Sequence, residues 1–220
     1  MSRSETWKTQ ERYCSPNMAS ALVIVSHPDP KSLNHALAAA VRDTWVRLGY
    51  PTVLVDLHQI GFNPVMSIGE ARGCASSELK VLEQIDLLSK CELLAIVHPN
   101  CWGSPPAMMK GWMDRVFAPG AAYKFAKGTD DGGTPAGLFK GKRALVLNTS
   151  NTTLEREQAS FGDPLERIWR DCLLGYSGID VIHREVFRVV ATSTEDERRE
   201  WLLRAMGLAE GLARSSTRSS

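Results

Sequence analysis

The sequence predicts a doubly wound α/β fold, with five parallel strands in the order 2-1-3-4-5 and helices on both faces of the sheet, making three layers. Two observations carry this reading. Short apolar runs of strand length alternate with segments of helical periodicity, and no internal repeat competes with the pattern. Polar turns bearing proline or glycine follow the first, third and fourth runs, so in that order they converge where open α/β sheets hold ligands.

Residues 1–20 are polar and aperiodic and read as a loose leader; Glu5 and Glu11 argue against a transit peptide. The domain then spans 21–210. Ala21 to Ser26 is the first strand, and its sharp turn, HPDPKSLNHAL, leads into a helix whose apolar face is Leu33, Leu37, Val41, Trp45 and Leu48. Gly49 closes that helix, and Pro51 to Leu57 is the second strand. Residues 61–76 are irregular, and Ser77 to Ser89 is the next helix, with Leu79, Leu82, Ile85 and Leu88 on its inner face.

Leu93 to Val97 is the third strand, ended by His98. Pro99, Gly103, Pro105 and Pro106 force a loop, with Ser104 as N-cap and Pro105 at the first helical position. From Ala107, Met108, Met109, Trp112, Met113, Val116 and Phe117 recur at helical spacing. Tyr123 and Phe125 alternate with Ala122 and Lys124, either filling core or rimming a pocket, and a glycine-dense connection follows. Arg143 to Thr149 is the fourth strand, with the loop SNTTLEREQASFGDP beyond it. A helix through Leu165, Ile168, Trp169, Cys172 and Leu173 closes near Gly175, and Ile179 to Val190 is the fifth strand. Ser193 or Thr194 opens the last helix, whose stripe is Trp201, Leu202, Ala205 and Leu208. Residues 211–220 read as a frayed tail.

Composition bounds the function. The 220 residues hold 26 basic and 25 acidic side chains, a net charge of +1, so neither nucleic acid nor an anionic membrane is called for as a partner. No apolar run approaches the roughly 20 residues of a membrane-spanning helix. Five scattered cysteines without a CxxC pair suit a reducing cytoplasm. The five histidines show no zinc spacing and no HExxH, so no metal is expected. A GxSxG elbow, a GxGxxG fingerprint and a P-loop are all missing.

Two turns carry the chemistry. His27, Lys31, Ser32 and Asn34 surround a helix amino end, where free N–H groups, a hydroxyl and a cation suit a phosphate; alternatively Ser32 only caps the helix and His27 fills the turn. Cys101 lies beside Trp102. As a nucleophile it would need a base such as His98 or a lowered pKa; otherwise it is a small apolar liner.

SHPDPKSLNHAL after the first strand, HPNCWGSPPAMMKGWMDRVF after the third, and the downstream Tyr123 resemble the flavodoxin-like NAD(P)H:quinone oxidoreductase family over about Ala21 to Leu208. The central motif, P-x-x-W-x-x-P then K-G-W-x-x-R-V-F, is long and specific. The resemblance implies that His27, Lys31, Ser32, Leu33 and Asn34 hold a flavin phosphate. It places Pro99, Asn100, Cys101, Trp102 and Gly103 against the isoalloxazine ring, and Thr149, Ser150 and Asn151 at the ring's other edge. Arg198 matches an arginine that reaches the adenosine half in FAD-binding members, favouring FAD over FMN. Trp102 would line the substrate pocket, and Tyr123 and Phe125 match aromatics given across a homodimer interface to the partner's pocket. The Tyr and His that support hydride transfer in animal members fall on Glu155 and Phe161 here, so that relay is missing.

The function implied is a cytoplasmic homodimer that passes a hydride from NAD(P)H through flavin N5 to a quinone or similar acceptor in ping-pong order. A flavin-binding, redox-sensing subunit of a transporter or channel is the alternative. A flavodoxin-type electron carrier would need a Ser/Thr-rich phosphate loop and an acidic surface, and neither is present.

Overall fold

The structure is a computed structural model describing residues 20–125 and 135–215. Residues 1–19 of the leader, Cys14 among them, and most of the glycine-dense connection lie outside the described residues. Strand β1 (Ala21–Val25) is wholly buried, and Ser32 then caps helix α1 (Leu33–Arg47) through its side chain. Gly49, at φ +90, turns the chain into β2 (Thr52–Asp56). The crossover that follows contains a short helix, α2 (Ile68–Ala71), closed by a capping box between Ser67 and Glu70, before α3 (Leu79–Lys90).

Strand β3 runs from Leu93 to Pro99, two residues past the expected end. His98 and Pro99 continue in register with Asn148 and Thr149, because a terminal proline removes no donor that the ladder still needs. The expected N-cap at Ser104 is also corrected. Helix α4 spans Ala107–Val116 with Pro106 at its cap, because Ser104 is held in a tight turn by paired bonds to Cys101 of 2.9 and 3.0 Å. Next come a two-stranded ribbon of β4 (Tyr123–Lys124) and β5 (Ala136–Gly137), the fourth strand of the main sheet, β6 (Arg143–Ser150), and a helix absent from the sequence reading, α5 (Leu154–Ser160).

Helix α6 (Pro164–Glu166) passes into a π-helical stretch, Arg167–Gly175, and β7 (Val181–Arg188) is the edge strand. Helix α7 (Glu195–Arg214) opens with a capping box on Thr194. It does not fray from 211. The Arg143 guanidinium donates to the carbonyls of Leu212, Ala213 and Ser215 at 3.1, 2.9 and 2.7 Å and fixes its carboxyl end.

All five strands of the main sheet are parallel, in the order β2-β1-β3-β6-β7, which is the expected 2-1-3-4-5. Side-chain alternation divides them between two cores. Leu22, Ile24, Leu94, Ile96, Ala144 and Val146 meet Met109, Trp112 and Trp169 on one face. Val23, Val25, Ala95, Val97, Leu145 and Leu147 meet Leu37, Val41, Trp45 and Ala205 on the other.

The motif in α4 is largely a packing device. A Cβ on Gly111 would fall 2.3 Å from the Pro64 carbonyl oxygen, so only glycine admits the 61–78 crossover there. Arg115, 3% exposed, donates to the Asn63 carbonyl at 2.6 Å and to Glu70 at 3.0 and 3.2 Å, with Glu78 at 2.8 Å. Burial pulls the Glu70 carboxyl up, but hydrogen bonds from the Ser67 N–H, from Arg115 and from the Ser67 side chain outweigh it and lower it to about 2. Removing the cation leaves these groups unpaired, so Arg115→Met is expected to lower stability in urea melts by about 3 kcal/mol. The Glu70 contribution is complete above the ordinary glutamate range and is lost as pH falls toward about 2, a loss that Glu70→Gln should not show.

Candidate functional site

The turns after β1, β3 and β6 meet over the carboxyl edge of the sheet and enclose a cleft of 980 Å³. They are fastened by side chains from one another. The Asn34 amide, buried in the first turn of α1, exchanges hydrogen bonds of 3.1 and 3.3 Å with the Thr149 hydroxyl. The Thr149 carbonyl accepts the Asn100 N–H at 2.7 Å. Asn100 in turn accepts the Gly103 N–H at 2.8 Å and reaches Glu157, a buried carboxylate paired with Arg188.

Two sets of backbone donors face this space. At the amino end of α1, the N–H groups of Leu33 and Asn34 have no protein acceptor among the described residues, and the Ser32 hydroxyl stands beside them. In the turn from Cys101 to Ser104, Trp102 takes φ 57 and Gly103 φ 74. A non-glycine residue in the left-handed region costs roughly 1 kcal/mol. Here that conformation leaves the indole fully exposed at the cleft and the Trp102 N–H without a protein acceptor among the described residues. Glycine is favoured at 103 by its positive φ and because a Cβ would press on Pro164 at 3.2 Å.

Beneath the loop lies a buried polar network. Trp169 Nε1 donates to His98 Nε2 at 2.9 Å, and Asn148 Nδ2 lies 3.0 Å from the same nitrogen. An indole N–H only donates, so His98 Nε2 accepts and the ring proton is on Nδ1, donating to the Pro99 carbonyl at 2.8 Å. Arg184 completes the set, bonded to Asn148 at 2.8 Å and to Asp163 at 2.6 Å. Burial first, and the Arg184 charge second, lower the His98 pKa to about 4. Both ring nitrogens are committed, so His98 is no base for Cys101. Burial also raises the Cys101 thiol, which leaves that residue as a liner.

The sequence-predicted residues divide cleanly. His27, Ser32, Leu33 and Asn34, the stretch Pro99 to Gly103, and Thr149 to Asn151 all line the cleft. Lys31 does not; its side chain is exposed and its N–H is turned onto Asp29 at 2.9 Å. Arg198 is spent on the carbonyls of Ser193 and Thr194 at 2.6 and 3.3 Å, outside the lining. Tyr123 packs on both Phe125 and Tyr176, and neither Tyr123 nor Phe125 lines the cleft. Phe161 is at the cleft, half-exposed, and Glu155 is not.

Four lining residues went unread: Thr152, Arg156, Pro164 and Val190. Arg156 had a signal. It sits in the first turn of α5, where a cation opposes the helix dipole, and among the described residues no carboxylate pairs with it. Among the described residues no cluster of His, Cys, Asp or Glu is placed to hold a metal ion, and no helix is long and apolar enough to cross a membrane.

Comparison with known proteins agrees with this geometry. The family model described as the flavodoxin-like fold matches residues 19–206. The chain is 25% identical over 204 residues to mouse (Mus musculus) ribosyldihydronicotinamide dehydrogenase [quinone], covering 82% of this chain and 86% of that one. The NAD(P)H:quinone oxidoreductase from Methanothermobacter marburgensis superimposes with a TM-score of 0.74 at 22% identity, over 90% of this chain and 98% of that one. An FMN-dependent NADH-azoreductase from Bacillus anthracis, in complex with FMN, gives a TM-score of 0.68 at 15% identity, over 90% and 100% of the two chains.

The His98 assignment can be read directly by long-range 1H–15N NMR. The ring is expected to remain the neutral Nδ1–H tautomer until pH approaches about 4. Because folding favours the neutral ring, its stabilising contribution is complete above the ordinary imidazole range and declines as pH falls toward that value. An Nε2–H tautomer at neutral pH would contradict the network.

Proposed function

The chain belongs to the flavodoxin-like fold family, and from that premise we propose that it is a flavin-dependent NAD(P)H oxidoreductase reducing a quinone or similar small acceptor. The observation that carries the reading is the pairing, across one cleft, of backbone donors with no protein acceptor among the described residues: the Leu33 and Asn34 N–H groups, beside the Ser32 hydroxyl, at one end and the Trp102 N–H at the other. The quinone-reducing relative and the FMN-bound neighbour support this choice of chemistry.

The residues present fit a flavin. Ser32 and the free N–H groups of Leu33 and Asn34 would receive its phosphate, as a helix amino end receives an anion. The Trp102 N–H and the Thr149 to Asn151 segment would receive the polar edge of the ring. When bound, the flavin supplies hydride transfer through N5, oxidising NAD(P)H first and reducing the acceptor second in ping-pong order.

Arg198, which favoured FAD, is engaged by its own helix end, and the donors named above would serve the FMN portion of the cofactor. FMN is therefore the form proposed, and heat release followed by mass identification decides it. At the cleft mouth, Phe161 and Trp102 give apolar faces for a planar acceptor, and Arg156 gives a cation with no carboxylate partner among the described residues. The four described cysteines are free thiols, in keeping with a cytoplasmic protein. Homodimerisation belongs to the same reading: Tyr123 and Phe125 lie outside their own cleft and would serve a pocket only from a neighbouring copy.

Steady-state NAD(P)H oxidation by the flavin-loaded protein with a simple quinone tests the proposal. Parallel double-reciprocal lines are expected, and negligible turnover would overturn it. Trp102→Gly keeps the left-handed turn, so it is expected to leave Tm within a few degrees while lowering kcat/KM by about tenfold. Arg156→Ala is expected to raise KM about fivefold for a sulfonated naphthoquinone, roughly 1 kcal/mol, with little change for an uncharged one.

A further inference from the structure

Ser32 ends a hydrogen-bonded row whose other two side chains, His35 and Asp56, the reading above does not use. Asp56, at the end of β2, lies 2.9 Å by its Oδ2 from His35 Nε2. His35 Nδ1 lies 2.9 Å from Ser32 Oγ. The other Asp56 oxygen accepts the N–H groups of His58 and Gln59 at 2.9 and 3.2 Å, so the carboxylate is fixed from both sides. Burial pulls the Asp56 carboxyl up, but hydrogen bonds from His35, Gln59 and His58 outweigh it and hold it below the usual range.

The donors in this row can be counted. A carboxylate only accepts, so His35 Nε2 carries a proton toward Asp56. On a neutral ring Nδ1 is then a lone pair, and the hydrogen in its contact with Ser32 comes from the serine hydroxyl. Ser32 Oγ also accepts the His35 N–H at 3.4 Å, as an N-cap does. The hydroxyl hydrogen, the one such donor that Ser32 could offer a ligand, is therefore turned away from the cleft. A proton on Nδ1 reverses the bond: the ring donates to Ser32 Oγ, and the hydroxyl is released to join the free N–H groups of Leu33 and Asn34.

Resting on the reading that the cofactor's phosphate lies in this turn, we infer that phosphate binding takes up a proton on His35, with Asp56 as the positioning residue that stabilises the imidazolium. The proton comes from solvent and no covalent bond changes. Of the other titratable or charged groups, His27 stands 6.5 Å from the ring between centres, Asp29 and Lys31 belong to the same turn, and His58 bonds Asp56 through its N–H. Among the described residues Asp56 is the one carboxylate placed to pair with the ring once it is protonated. The arrangement makes the grip on a dianionic phosphate depend on pH through a residue that does not line the cleft.

Isothermal titration of apoprotein with FMN in two buffers of different ionisation enthalpy, at pH ~8, above the ordinary imidazole range, measures the proton uptake. Wild type is expected to take up close to one proton more than His35→Gln. Its FMN Kd is expected to rise by up to about tenfold per pH unit in that range, against a flat profile for the variant. Asp56→Asn is expected to lower the uptake, and riboflavin, which lacks the phosphate, to show none. The phosphate's own titration is common to all forms and drops out of the comparison. Tight FMN binding with equal proton uptake in wild type and His35→Gln would overturn the inference and leave the cofactor reading intact. Failure of every form to bind FMN would overturn both.

Discussion

Thr149 is the point at which the cleft is fastened. Its hydroxyl holds the Asn34 amide at the start of α1 and its carbonyl holds the Asn100 N–H, so one residue at the end of β6 ties the turns after β1 and β3 to its own. The need for such a tie is a consequence of the sheet. Parallel strands buried on both faces all end at one edge, and the polar groups of their exit turns must find partners in one another where no ladder continues. The donors left without partners among the described residues after that settlement, at Leu33, Asn34 and Trp102, are the ones proposed to receive the cofactor.

The part of the chain that identifies the family and the part that carries its chemistry are only partly the same. In K-G-W-x-x-R-V-F, Gly111 makes room for Pro64, Trp112 fills the core, and Arg115 anchors the crossover through Asn63 and Glu70. None of the three lines the cleft. The loop just before the motif does, and its geometry depends on the buried His98 network below it. That network holds the carbonyl of Pro99 through a ring kept neutral by burial.

The strands and their order were legible because each rests on a local pattern, an apolar run followed by a proline or glycine turn and a polar cluster, while most of the twelve cleft residues of the three turns came from the resemblance of their motifs to a known family. What escaped depends on contacts distant in sequence or on backbone geometry without a signature. Ser104 looks like an N-cap, but Trp102 takes a left-handed conformation that residue preferences disfavour and thereby commits Ser104 to Cys101. The end of α7 is held by Arg143, some 70 residues earlier in the chain. The π-helical stretch keeps an ordinary helical spacing of apolar residues, and Val190 reads as the tail of a strand while standing at the cleft. Lys31 and Arg198 were drawn to the site by position in a motif, yet one points to solvent and the other caps its own helix.

The most direct test of the fastening is a fluorescence titration of FMN with apoprotein, comparing wild type with Thr149→Val, which keeps the carbonyl and the shape but removes the hydroxyl. The account predicts saturable, one-to-one quenching by wild type and at least about tenfold weaker binding by the variant, with both still folded, as fits the loss of a buried hydrogen bond. FMN whose emission is unchanged by the wild-type protein, or affinity indifferent to Thr149, would contradict it.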